Sequence, residues 1–154
     1  MVRGENNDRF LLCRIGSRIA ALDIRDVRET MRPLPIEPLT GTPPFVLGLA
    51  IVRGVPIPVV DADRLVGSSG SSPTRFVLLK VGVRSAALAV DAVLEIRALP
   101  AEMLANIPPL LQEAATGLIA LIGTLDAQLL LVLQAARLVP DSAWEAIESS
   151  TRSA

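Results

Sequence analysis

The stretch RFLLCRIGSRIAALDIRDVRE at residues 9–29 returns as RFVLLKVGVRSAALAVDAVLE at residues 75–95, an offset of 66. Ten of the 21 aligned positions are identical: Arg9/Arg75, Phe10/Phe76, Leu12/Leu78, Gly16/Gly82, Arg18/Arg84, Ala20/Ala86, Ala21/Ala87, Leu22/Leu88, Val27/Val93 and Glu29/Glu95. Unrelated segments of ordinary composition agree at about one or two such positions. The likeness continues more loosely. Gly48-Leu49 answers Gly117-Leu118, and Gly54 answers Gly123. Past a longer turn in the second copy, Arg64-Leu65 answers Arg137-Leu138. The chain is two copies of one structural unit of about 65 residues. The first lobe is set at 9–66 and the second at 75–139, with a linker over 67–74 and a tail over 140–154. The linker's GSSGSSP is flexible by composition.

Within the first copy, residues 10–15, 18–24, 27–32, 47–52 and 56–60 are apolar-rich runs of strand length, bounded by Gly, Pro or charged residues. Five short antiparallel strands bury a core best by curling into a small barrel. The predicted class is therefore all-β: two fused five-stranded barrels produced by internal duplication. Single helical turns at 61–66 and 134–139 close them. Pro56 and Pro58, two apart, cannot donate to one side of a ladder, so that strand is expected to keep one edge free. The prolines at 33, 35, 38, 43 and 44 make residues 34–44 a stiff irregular loop, with residues 100–109 as its counterpart. The apolar tract 118–133 is interrupted by Gly123, Thr124, Asp126 and Gln128, which suits two buried strands and a turn better than a membrane helix. In the tail, Asp141 is a candidate N-cap, and Trp144 and Ile147 stand three apart, as in a short helix laid on the body.

The composition excludes several functions. Hydrophobic residues make up 51% of the 154, enough to fill a core. The net charge of −1 creates no field for nucleic acid or an anionic membrane. Aromatic residues at 3% give little for bases to stack on. With no His and one Cys, imidazole catalysis, the usual zinc sites and an internal disulfide are all ruled out. Residues 1–9 are polar and charged, unlike a signal peptide. The expected setting is reducing and cytoplasmic, with no membrane insertion, metal or cofactor.

Few residues suggest a site. Glu29 and Glu95 are shared by the copies, whereas Arg53 is answered by Ile122. Arg53 precedes a glycine turn at a strand end, from which it can reach across a sheet to Glu29. Such a pair is either an ordinary surface contact or one that fixes the shape and charge of a docking surface. Asp61 and Asp63 with Arg53 suggest a metal-dependent hydrolase on one account. On the other, Asp61 caps the helical turn behind it. Cys13 sits inside a strand and has no His to activate it.

The segment VLGLAIVRGVPIPVVDADRLVG (46–67) resembles the signature of the CheW family: an apolar strand ending in Leu-Arg-Gly, a short strand Ile-Pro-Val-Ile-Asp-Leu, and a short helix. ALDIRDVRETM (21–31), the proline-rich loop 34–44 and ALAVDAVLEIRAL (87–99) are similar to other segments of the same family, so the likeness runs from Phe10 to Leu138. This chain departs from the pattern with Val52 before Arg-Gly, DADRL in place of the usual DLR, and Gln134 where an Asp usually follows the last strand. The resemblance implies two SH3-like barrels with a C-terminal helix. It implies a non-catalytic adaptor, peripheral to membrane receptor arrays, that couples chemoreceptors to a histidine kinase. The partners implied are a chemoreceptor's cytoplasmic helical hairpin, docked in the groove between the lobes, and the kinase's regulatory domain. Carried over by position, the resemblance places Ile24, Val27, Glu29, Gly48 and Arg53 at the groove and its supporting ion pair. The Ala- and Leu-rich composition admits an alternative, a divergent scaffold serving another pathway such as twitching motility.

Overall fold

The computed structural model describes residues 9–66, 72–106 and 118–153. The first copy forms β1 (Arg9–Ile15), β2 (Arg18–Asp23), β3 (Val27–Met31), β4 (Val46–Val52), β5 (Val55–Asp61) and a single helical turn, α1 (Ala62–Leu65). The second forms β6 (Arg75–Val81), β7 (Arg84–Val90), β8 (Ala92–Ala98), β9 (Leu104–Asn106), β10 (Ile119–Leu125) and β11 (Gln128–Leu133). A helix, α2 (Asp141–Ser153), follows. The strands lie in two sheets, one ordered β8-β1-β2-β11-β10-β9 and the other β3-β6-β7-β5-β4. The fold is all-β with short helical turns, as the sequence indicates. Among the described residues, no backbone ladder joins the first and last strands of either sheet into a closed barrel.

The sheets and the sequence copies do not coincide. Hairpin β1–β2 of the first copy sits among strands of the second, and hairpin β6–β7 of the second sits among strands of the first. The contiguous lobes expected over 9–66 and 75–139 thus give way to a reciprocal exchange. The exchange keeps strict equivalence, with β8, β1, β2, β11 and β10 of one sheet matching β3, β6, β7, β5 and β4 of the other. Both sheets close around the foreign hairpin by parallel pairing, β2 with β11 and β5 with β7. The two hairpins are identical at 8 of 15 aligned positions (9–23 against 75–89), so each takes in its host sheet the place that the other takes in its own. The chain crosses between sheets through the 3₁₀ turn Ile24–Asp26 in the first copy and through Asp91 alone in the second. Asp91 is fixed there: its carboxylate accepts from the Gly16 amide at 2.7 Å, and its own amide donates to the Arg14 carbonyl at 2.9 Å.

The exchange yields three apolar layers. Along β1, Leu11, Cys13 and Ile15 face the layer between the sheets, while Phe10 and Leu12 face the hollow of their own sheet. Along β6, Val77 and Leu79 face the shared layer, while Phe76 and Leu78 face the other hollow. Strands buried on both faces need apolar residues at every position, which explains the continuous runs in the sequence. Cys13 is wholly buried in the shared layer, and burial pushes its thiol up to about 12. Ala143, Trp144 and Ile147 of α2 complete that layer. From β7 the Arg84 guanidinium lies 4.7 Å over the Trp144 ring, with Nη2 3.0 Å from Glu148 Oε2.

Local expectations hold in part. Asp61 caps α1, its Oδ1 accepting from the Asp63 amide at 3.0 Å. Strand β5 is internal to its sheet. Its pairing with β7 covers only Val59–Asp61, so its edge is open just where Pro56 and Pro58 sit. The proline-rich loop is pinned by reciprocal backbone hydrogen bonds of 2.8 Å between Glu37 and Leu49, and at its end Arg64 Nη1 donates to the Pro44 carbonyl at 3.3 Å. In the second copy the same position has grown into a 3₁₀ turn, Ala101–Met103, and strand β9, in place of an irregular loop. Residues 107–109 of that expected loop, and 67–71 of the linker, lie outside the described residues.

Candidate docking surface

Hairpin β4–β5 turns at Arg53-Gly54, both with positive φ (48° and 82°), the pattern of a type I′ turn whose twist suits the flanking strands. Hairpin β10–β11 turns in the same way at Asp126-Ala127 (51° and 64°). These turns reset the alignment of the copies. The counterpart of Arg53 is Asp126, Ile122 lies within β10, and Gly123 does not answer Gly54. The residues added in the second copy precede β10, and the two turns are equal in length. Position 127 is Ala and lacks the glycine that marks such a turn, so the turn carries no local signal in the sequence.

The Arg53 side chain reaches Glu29 on β3, with Nη1 3.4 Å from Oε1 and a second, closer contact between Nη2 and Oε2. Hydrogen bonding from Arg53, reinforced by its charge, holds the Glu29 carboxyl below the usual carboxylate range. Glu29 in turn holds the Arg53 guanidinium above its usual range. The Arg53 side chain is 68% exposed, so the pair lies in solvent at the sheet's end.

The other residues placed at the groove take different positions. Ile24, in the crossing turn, and Val27, at the start of β3, are half-buried against the shared layer. Gly48 is buried, and a Cβ there would stand 2.0 Å from the Glu37 carbonyl oxygen. Its role is to admit the proline-rich loop. Two residues escaped the sequence reading: Ile51 (58% exposed) and Val55 (53%) flank the Arg53-Gly54 turn. The signal was present, since period-two alternation turns Ile51 outward between buried Ala50 and Val52.

A cleft of about 490 Å³ opens where the sheets meet, walled by Phe10, Leu121 and Val132 on one side and Lys80 on the other, with Asp23 and Asp26 also lining it. Burial, and secondarily the charge of Asp23, holds the Asp26 carboxyl above the usual range against the opposing pull of Arg25 and Lys80. None of the five residues placed at the groove is among those lining this cleft.

The acidic residues offer no metal centre among the described residues, where no group of three or more His, Cys, Asp or Glu could hold an ion. Asp61 is engaged as a cap, with Arg64 Nε 3.5 Å from its Oδ2. Also among the described residues, no helix is long and apolar enough to cross a membrane.

The family model for the CheW-like domain matches residues 9–143. The chain belongs to the CheW-like domain family. It is 24% identical to the chemotaxis protein CheW of Klebsiella aerogenes over 94% of this chain and 89% of that protein. It is 30% identical to a probable chemotaxis protein CheW of Rhizobium etli, over 74% and 79% respectively. In structure it is similar to the scaffolding protein TtCheW of Thermoanaerobacter tengcongensis (TM-score 0.71, 24% identity, 82% of this chain and 88% of that one). The resemblance drawn from residues 46–67 is thus borne out, and the CheW-like fold accounts for the paired sheets.

Proposed function

We propose that this CheW-like chain is a non-catalytic chemotaxis adaptor, holding a chemoreceptor's cytoplasmic helical hairpin and the regulatory domain of a histidine kinase in one assembly. The observation that carries this reading is the family match over residues 9–143, nearly the whole folded body. The surface suits the task. Half-buried Ile24 and Val27 offer partly exposed apolar side chains to a docked helix, and the Glu29–Arg53 pair supplies fixed charge on the same sheet. Ile51 and Val55 give the hairpin end an apolar rim of its own. The protein would work in the cytoplasm, at the inner face of receptor arrays.

The test is a pull-down with a receptor hairpin and a kinase regulatory domain from the same genome. Wild type is expected to retain both, and Arg53→Glu and Val27→Asp to lose the receptor hairpin while staying folded. Equal retention by both folded variants would remove the groove assignment. Failure of wild type to hold either partner would remove the adaptor reading.

A further inference from the structure

Strand β8 is the outermost strand of the six-stranded sheet, paired with β1 on one side only. From Leu94 to Ala98 every residue is exposed, including Leu94 (40%) and Ile96 (54%). Its equivalent, β3, alternates half-buried with exposed positions and carries Arg28 and Thr30 where β8 carries Leu94 and Ile96. Open edges are templates for another strand, and folded proteins usually protect them with proline, charged side chains (lysine above all) or a bulge. Strand β8 has neither proline nor lysine, and its two charges, Glu95 and Arg97, are of opposite sign. Its single register shift falls at Leu94, leaving Glu95–Ala98 in regular register with β1.

The exposed stretch LEIRA complements itself. In an antiparallel pairing of two copies centred on Ile96, Glu95 stands opposite Arg97 of the second copy, and Arg97 opposite its Glu95. On the other face Ile96 meets Ile96. Directly opposite residues share a face of the sheet, where opposite charges attract and apolar pairs pack. Within one chain the two charges are loosely engaged: Arg97 Nη1 is 4.0 Å from Glu95 Oε2, with both side chains about half exposed (44% and 55%). They are available to a second copy. The Ile96 face is the one that Leu11 presents to the shared layer, and the charged face is the one that carries Phe10 and Leu12.

We propose that β8 is a self-association edge, through which two copies of this chain pair antiparallel about Ile96 and join their six-stranded sheets. The contact is isologous, so it closes at a dimer and does not propagate. So short a strand pair is small beside stable interfaces, so the dimer is reversible and forms where the protein is concentrated. The proposal stands apart from the adaptor reading, and its test needs only the purified chain.

Sedimentation velocity over a wide concentration range decides it. Wild type is expected to shift from monomer to dimer as concentration rises. Glu95→Arg and Arg97→Glu each place like charges opposite one another twice, and each is expected to weaken the dimer at least tenfold. Mixed in equal amounts, the two variants regain opposite charges at both positions and should associate as wild type does. Wild type that stays monomeric throughout, single variants that dimerise like wild type, or a mixture no better than its components would each overturn the proposal. Both substitutions are at exposed positions, and circular dichroism verifies that the variants remain folded.

Discussion

Glu29 and Arg53 stand at opposite ends of one sheet's strand order, on β3 and just past β4, yet their side chains meet. The sheet curls far enough to bring its outermost strands within reach, and an ion pair completes what no backbone ladder does. The equivalent positions of the other sheet hold Glu95 and Asp126, both acidic, so the latch exists once. The sheets share a plan, and only the first offers this fixed charge.

Reversing one charge of that pair should therefore cost binding more than folding. Arg53→Glu is expected to leave the melting temperature nearly unchanged, because exposed pairs contribute little, and to abolish receptor binding. The double reversal Glu29→Arg/Arg53→Glu should recover part of the binding. The pH dependence has a fixed sign. The Glu29 carboxyl is depressed in the folded state, so its contribution is present above the unfolded carboxylate range and lost as pH falls through the folded value. Binding measured by titration calorimetry should hold from neutral pH down and fail only on strong acidification. Loss just below neutral would point to another group.

Ala127 occupies φ 64° in the turn equivalent to Arg53-Gly54. A side chain in the left-handed region costs roughly 1–2 kcal/mol, while glycine adds some flexibility to the unfolded chain. Ala127→Gly should stabilise the protein by about 1 kcal/mol, making Asp-Gly, the favoured pair for such a turn. Urea unfolding would show a higher midpoint at constant slope.

Gly48 and Gly54 both have positive φ but differ in their surroundings. A Cβ at Gly48 meets the Glu37 carbonyl, whereas at Gly54 nothing stands within 4 Å. Gly54→Ala should cost about 1 kcal/mol, the conformational term alone. Gly48→Ala must also push the proline-rich loop off β4 and break the Glu37–Leu49 bridge, so its cost should exceed roughly 3 kcal/mol. Equal losses in the two variants would show that the loop is not held as described.

Cys13 lies in the layer between the sheets with its thiol pushed up to about 12. At pH 8 it should resist a thiol reagent and react only as the protein opens. Labelling in increasing urea should follow the global unfolding curve. Fast labelling of the native protein would place a gap in the shared layer.

The elements of this fold were legible in the sequence because each depends on near neighbours. Gly16 and Gly82 mark two of the hairpins, Asp61 marks α1, and Asp141 with Trp144 and Ile147 marks α2. The assignment of hairpins to sheets was hidden. It rests on the parallel ladders β2–β11 and β5–β7, which join distant residues and leave no local pattern, while the two hairpins are identical at 8 of 15 aligned positions and look alike to a local reading. The Glu29–Arg53 pair was legible through the difference between the copies. Its true counterpart was not, because Asp126-Ala127 makes a glycine-type turn without glycine. Gly48 was tied to the groove by resemblance, although its backbone angle and the nearby Glu37 carbonyl give it a packing role.

The exchange of hairpins has a direct consequence for folding. If the chain is divided within the linker, the first half keeps β3 without β6, β5 without β7, and hairpin β1–β2 with neither β8 nor β11. The second half loses β1, on which β8 pairs, and β2, leaving β11 with β10 alone. Neither half retains the layer between the sheets, which holds most of the large buried side chains. Each half alone is therefore expected to lack a cooperative unfolding transition. Mixed together, the halves should assemble one to one and recover the native circular dichroism. Trp144 is the chain's only tryptophan and lies buried in the shared layer, so its emission should shift to the blue as the second half takes up the first. Cooperative unfolding of the isolated first half would mean that contiguous lobes, as the repeat in sequence suggests, are the units that fold.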